Sequence, residues 1–256
     1  MDYNRIDDKL AQLKNARPLT EGELSRLNEH FLVEYTYNSN AIEGNTLTLR
    51  ETMLIIKEGL TIAEKPLREH LEVVGHRDAY YYVESLVEEK IPLSERVIKD
   101  IHAIVLIDRQ LDKGVYRSVP VYISGSVHTP PEPYMVPIEM ERLMLDYEEM
   151  KQALHPVARA ALFHLRFEGV HPFIDGNGRT GRLILNLELM KDGFPPINIK
   201  FADRRRYYDC FHSFHASGGN FGDMEAMVSE YVEAALDSYL ETIDKKERLH
   251  RQSPER

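Results

Sequence analysis

Twelve residues constrain this chain more than any others: His171-Pro-Phe-Ile-Asp-Gly-Asn-Gly-Arg-Thr-Gly-Arg182. They place an imidazole, a carboxylate, three glycines and two guanidinium groups in one turn and the start of one helix. Few purely structural tasks need that mixture. Gly176, Gly178 and Gly181 flank a switch from a turn into the apolar helix Leu183–Met190, so backbone N–H groups at a helix start lie open where the dipole favours an anion. Arg179 and Arg182 are expected to project beside each other and meet phosphate oxygens with paired donors. A carboxylate repels a bare phosphate, so Asp175 is assigned to a Mg²⁺ ion bridging two phosphates. His171 is then the general base for a hydroxyl attacking phosphorus. No Lys-Ser/Thr follows the glycines and no strand-linked Gly-x-Gly-x-x-Gly is present, which excludes a Walker loop and a dinucleotide fingerprint.

A chain of 256 residues can bury a sizeable core, alone or with a helical extension. Its net charge of -10 argues against nucleic acid or an anionic membrane as the main partner, because both select clustered cations. The three consecutive arginines Arg204–Arg206 therefore read as a solvated face with one or two ion pairs. A single cysteine, Cys210, rules out an intrachain disulfide and fits a reducing compartment. No apolar run approaches the length of a membrane span and no apolar leader opens the sequence, so a cytoplasmic protein is expected.

Most of the chain carries helical periodicity. Thr20 and Glu23 make a capping box for a helix from about Glu21 to Tyr37, with Leu24, Leu27, Phe31 and Tyr35 on one stripe. Ser39–Asn45 follows as a short polar stretch stopped by Gly44. Thr48 and Glu51 form a second box for a helix ending at Gly59, and Pro66 is placed at the first position of the next. His70 and His76, six apart on it, are read as structural or exposed. Ser94 caps another helix, where the core region is taken to begin. Tyr116–Val136 breaks the pattern: Val119, Val121 and Ile123 alternate and prolines follow, predicting a short β-hairpin with an open edge suited to an extended peptide. His128 in that loop is expected to be exposed. Pro156 opens a helix apolar nearly all round, expected to be central and to be interrupted at Gly169. A helix through Met224–Leu236 closes the core, and the charged residues from Lys245 onward are expected to fray.

The twelve-residue string resembles the signature of the Fic family, His-Pro-Phe-x-Asp/Glu-Gly-Asn-Gly-Arg-x-x-Arg, without a mismatch. The resemblance implies an all-α bundle with one β-hairpin flap, and an enzyme that transfers AMP from ATP, with Mg²⁺, to a Ser, Thr or Tyr hydroxyl of a protein target or of itself. In that reading His171 is catalytic, Asp175 holds Mg²⁺, and Gly176, Asn177, Gly178, Arg179, Thr180, Gly181 and Arg182 bind ATP. Gly125, Ser126 and Val127 of the flap are added as nucleotide contacts, and Tyr207, in an Arg-x-x-Tyr pattern, is placed at the adenine or ribose. The family asparagine expected near His215 is missing. Ser39-Asn-Ala-Ile-Glu-Gly44 matches the inhibitory motif Ser/Thr-x-x-x-Glu-Gly/Asn, located before the core as in class II members. It implies that Glu43, with Ser39, lies on an inhibitory helix at about 38–45 and occupies Arg182 in place of the γ-phosphate. The same carboxylate is a candidate to orient water for AMP removal.

The expected organisation is an N-terminal helical region at 1–92, a Fic core at 93–228 and a C-terminal helix with tail at 229–256. Two other readings stay open. His164, Glu168 and His171 recur at helical spacing and would suit a metal-dependent phosphohydrolase, and a permanently engaged Glu43 would make a non-catalytic ATP sensor. A phosphotransferase resembles Gly-Asn-Lys-Arg at this loop and is disfavoured by Gly178. Homodimerisation, the target protein and whatever relieves inhibition are left open.

Overall fold

The computed structural model describes residues 2–123 and 128–252, with side chains through residue 244. Its helices are α1 (Asn4–Asn15), α2 (Glu21–Ile42), α3 (Leu49–Glu58), α4 (Leu67–Glu88), α5 (Glu95–Val105), α6 (Val136–Ala153), α7 (Pro156–Val170), α8 (Asn177–Lys191), α9 (Arg204–Ala216) and α10 (Gly222–Gln252). Both capping boxes form, each Glu carboxylate accepting from the backbone N–H of its Thr. Gly59 ends α3 in the left-handed conformation that glycine adopts without a Cβ penalty, and Ser94 caps α5. Pro66 stands one residue earlier than expected, as the N-cap of α4.

Packing makes α7 and α8 the central layer. Phe163, Phe167, Leu183, Ile184 and Leu187 face a cluster shared with α2, α4, α5 and α6, among them Tyr35, Val83, Ile98 and Met140. Val157, Ala161, Leu165, Leu185 and Leu189 face a second cluster with Ile6 and Leu10 of α1, Tyr207 and Cys210 of α9, and Met224, Met227 and Val232 of α10. A fully buried Leu, Ile or Phe contributes roughly 1.5–3 kcal/mol, so the loop between these two helices hangs on the most strongly held part of the molecule. The region 1–92 has no separate main core, because Leu32, Tyr35, Ala79 and Tyr80 belong to the first cluster.

Several expectations are corrected. Helix α2 does not stop near Tyr37 but runs to Ile42, so Ser39 lies in its last turn rather than on a separate helix at 38–45. Its polar end persists because those groups have partners: Asn38 Oδ1 accepts from the Phe201 amide at 2.8 Å, and Asn40 Nδ2 donates to the Thr36 carbonyl at 3.0 Å. Helix α7 continues through Gly169, and α10 stays helical past Lys245 to Gln252. The described residues on either side of the expected hairpin, 116–123 and 128–132, contain no strand. Pro120, Pro130 and Pro131 lack the amide hydrogens a ladder requires. His128 is half-buried: its ring stacks on His215 at 3.7 Å and Nε2 donates to the Gly169 carbonyl at 2.7 Å.

Candidate active site

Helix α7 ends because Pro172 has no amide hydrogen and disfavours a helical residue before it. His171 takes the left-handed conformation, φ 49°, with its own N–H donating to the Phe167 carbonyl at 3.0 Å. A non-glycine residue there is strained and persists only when its surroundings hold it. They do so from several sides. Arg117 Nε donates to the His171 carbonyl at 2.8 Å, and the Arg117 amide donates to the Pro172 carbonyl at 2.9 Å. Phe173 is buried and stacked on His102 at 3.6 Å, while its amide and carbonyl both bond the side-chain amide of Asn177, at 2.9 and 2.8 Å. The Gly114 amide donates to His102 Nδ1 at 2.9 Å, so Nε2 carries the proton and donates to the Asp175 carbonyl at 2.9 Å.

Gly176, at φ 75°, is the N-cap of α8. The helix thus begins at Asn177, six residues before the expected Leu183, and its first internal bond is Thr180 N–H to the Gly176 carbonyl. The amides of Asn177, Gly178 and Arg179 precede that bond and form the open helix start inferred from the motif. Gly178 and Gly181 are therefore helical residues whose lack of a side chain makes room. A Cβ at 178 would run into the Glu43 carboxylate, and one at 181 would lie 2.6 Å from Glu168 Oε1 and 2.8 Å from His164 Nδ1.

The two arginines diverge instead of pairing. Arg182, with its side chain 2 % exposed, faces α2: Nε donates to Ser39 Oγ at 3.0 Å, Nη2 to the Ser39 carbonyl at 2.7 Å, and Nη2 lies 2.9 Å from Glu43 Oε1. Its Nη1 donates to the Tyr207 hydroxyl at 3.3 Å, and that hydroxyl lies 2.7 Å from His164 Nε2. Tyr207 is thereby buried beneath Arg182 and offers no open face for a base or ribose in this arrangement. Arg179, equally buried, turns toward Asp175 Oδ1 at 3.3 Å and Glu72 Oε1 at 3.7 Å. Thr180 is fully buried. Gly125, Ser126 and Val127 lie outside the described residues.

Asp175 is partly exposed; Oδ1 accepts from the Gly176 amide at 2.6 Å and Oδ2 from Arg109 at 3.4 Å. Burial pushes the His171 imidazole down to about 4, so at neutral pH the ring is uncharged and able to accept a proton. Burial likewise lowers His102 to about 4 and His164 to about 3. Glu168, below the loop, is pushed up to about 8 by burial and by the nearby Glu43. His164, Glu168 and His171 do not converge as a metal triad: His164 is engaged by Tyr207, His171 leaves the helix, and no group of three or more His, Cys, Asp or Glu among the described residues is arranged to hold an ion.

Some of the site's residues carry no motif. Arg117 and His102 hold the loop, while Arg204 Nε at 2.8 Å and the Tyr208 hydroxyl at 3.2 Å both donate to the Ile42 carbonyl and pin the end of α2. Of the arginine triplet, Arg206 pairs with Glu230 as the solvated face required. The one advance signal for Arg117 was a lone arginine opening a proline-rich connector.

The sequence pattern of the Fic/DOC family matches residues 92–189. A Fic domain containing signaling protein from Bacteroides thetaiotaomicron is similar in structure with a TM-score of 0.85 and 30 % identity, over 94 % of this chain and 96 % of that one. Fic-1 from C. elegans superposes with a TM-score of 0.83 at 30 % identity, over 95 % of this chain and 72 % of that one. The protein adenylyltransferase Fic of Nematostella vectensis is 35 % identical over 244 residues, 93 % of this chain and 55 % of that protein. The chain spans about half the length of the curated relatives it matches.

Proposed function

Since the chain belongs to the Fic family, we propose that it is a protein adenylyltransferase held in check by Glu43. The observation that carries this is the convergence on one buried guanidinium: Arg182 sits on the helix whose amino terminus the motif leaves open, and its nearest carboxylate comes from a residue 139 positions away, Glu43, at 2.9 Å.

A hydroxyl of the target attacks the α-phosphorus of ATP. The new O–P bond forms as the bond to the β-phosphate oxygen breaks, pyrophosphate leaves, and the hydroxyl proton passes to His171, uncharged for that purpose. The amides at the start of α8 receive the phosphates flanking the breaking bond, and Arg179 and Arg182 neutralise the leaving group. Asp175 suits Mg²⁺: one partly exposed carboxylate beside open amides matches an ion that takes most of its ligands from phosphates and water. Held by Asp175, such an ion would offset the charge of the phosphates. Glu43 occupies Arg182 where the γ-phosphate would bind, so ATP enters without a productive pose. The target docks as an extended segment beside residues 119–123, where Val119 and Tyr122 are exposed. The single thiol, Cys210, is buried and pushed up to about 11 by that burial, which leaves it a poor nucleophile with no part in the transfer. Among the described residues no helix is long and apolar enough to cross a membrane.

The test is incubation of the Glu43→Gly protein with ATP labelled in the α- or the γ-phosphate. Covalent incorporation of the α label alone is expected. Incorporation of the γ label would make the protein a phosphotransferase, and binding without incorporation of either would make it an ATP sensor.

A further inference from the structure

Arg117 lies in the connector between α5 and α6, is 5 % exposed, and spends its guanidinium on backbone carbonyls of three segments: His171 through Nε at 2.8 Å, Val119 through Nη1 at 3.2 Å and Pro131 through Nη2 at 2.6 Å. Its own amide adds the bond to the Pro172 carbonyl. Helices do not need such a residue, since their carbonyls are satisfied internally. It is needed where three irregular strands of chain must be held at fixed mutual positions. A guanidinium presents five N–H groups in a rigid planar fork, whereas a lysine ammonium is a compact point charge on a flexible stem and cannot span three carbonyls at once. The His171 end of the clamp is also where fixing matters, because φ 49° at a histidine is strained and is not maintained by local preference.

We propose that Arg117 is a positioning residue that couples the surface receiving the target to the conformation of His171. Val119 opens the segment 119–123 assigned to the target, and the same side chain holds the carbonyls of Pro131 and of the base. A target seated along residues 119–123 thus acts on His171 through one guanidinium. The inference rests on the adenylyl-transfer reading of the site.

Two substitutions in the Glu43→Gly protein separate geometry from charge: Arg117→Lys keeps the cation and loses the fork, and Arg117→Gln loses both. Both are expected to bind ATP within threefold of the Glu43→Gly protein by calorimetry, while single-turnover incorporation of the α label falls at least tenfold, with no rescue by lysine. A second readout is the ring titration of His171, followed by NMR and assigned by its loss in His171→Ala. The titratable groups facing that ring are Glu168 from α7, which keeps its proton at neutral pH, Glu43 from the end of α2, Asp175 from the motif loop and Arg117 itself, whose cation holds the ring down. Arg117→Gln should therefore move the titration upward, and Arg117→Lys should leave it near that of the Glu43→Gly protein despite the slow transfer. Lower melting temperatures with an unchanged rate per folded molecule and an unchanged titration would overturn the proposal, as would full rescue by lysine. If the Glu43→Gly protein itself incorporates no label, the adenylyl-transfer reading fails, and the backbone amide shift of His171 in Arg117→Lys, which keeps the cation and loses the fork, still decides whether Arg117 sets its conformation: a moved shift supports the proposal and an unmoved one overturns it.

Discussion

The loop bearing His171 and the end of α2 bearing Glu43 meet at Arg182, yet they are secured in opposite ways. The loop is fastened by buried bonds from Arg117, His102 and Asn177 and is anchored at Phe173, so its geometry is built into the fold. The carboxylate of Glu43 is about one-third exposed, and its one ion pair among the described residues is with Arg182. The helix behind it is pinned at the Ile42 carbonyl by Arg204 and Tyr208. Catalytic groups gain from preorganisation, because reorientation during the reaction adds to the barrier. A restraint must be removable, and a single ion pair at the end of a helix can be withdrawn without disturbing the two cores on which the loop hangs.

That contrast breaks first at His171. His171→Ala in the Glu43→Gly protein should lower AMP transfer by about 10²–10⁴, the usual contribution of a positioned base, while ATP affinity measured by calorimetry stays within a few-fold. Transfer near the rate of the Glu43→Gly protein would move the base elsewhere.

On the opposite side, Glu43→Gly should raise self-incorporation of the α label by an order of magnitude or more, since one charge-assisted contact to the leaving group contributes about 2–4 kcal/mol by analogy with oxyanion donors. Equal incorporation by the parent would reduce Glu43 to a helix-end carboxylate. The parent should also release AMP from a pre-modified target faster than the variant does, if Glu43 orients the attacking water. Asp175→Ala tests the motif side again: the Mg²⁺ dependence of ATP binding in calorimetry should disappear, and an unaltered dependence would place the ion on other ligands.

Gly178→Ala sharpens the contact between the two regions. The position is helical, so alanine fits the backbone, but its Cβ would displace the Glu43 carboxylate. The parent's incorporation should rise several-fold, less than for Glu43→Gly, because the added methyl also crowds the phosphates. A fall in activity would show that crowding outweighs the relief.

A separate effect is on stability. The raised folded-state pKa of Glu168, about 8 against an unfolded value near 4.5, means the native state holds a proton the unfolded state releases. Its contribution is complete below about 4.5 and is lost as pH rises through 8, at a slope of up to about 1.4 kcal/mol per pH unit. Glu168→Gln should flatten the decline of melting temperature between pH 5 and 8. The lowered pKa values of His102, His164 and His171 act in the other window, reducing stability as pH falls from about 6.5 toward 4.

Much of this molecule is local and was readable as such. Caps and helical periodicity follow from interactions within four residues, so Thr20, Thr48, Gly59, Ser94 and Pro156 stand at or within one position of where propensity puts them. The motif declared its chemistry because glycines, arginines and an imidazole at that spacing have few other uses. What only the tertiary structure decided are the partners of groups far apart in sequence. Residues 38–42 look like a helix end until Arg182, Arg204 and the Phe201 amide supply counterparts for their buried polar atoms. Arg179 and Arg182 look like a pair until α4 and α2 draw them apart, and the partners of the Tyr207 hydroxyl, Arg182 and His164, come from two other helices. A buried polar group is stable only with a partner, and where that partner comes from another helix, the packing of the two cores determines which one it is.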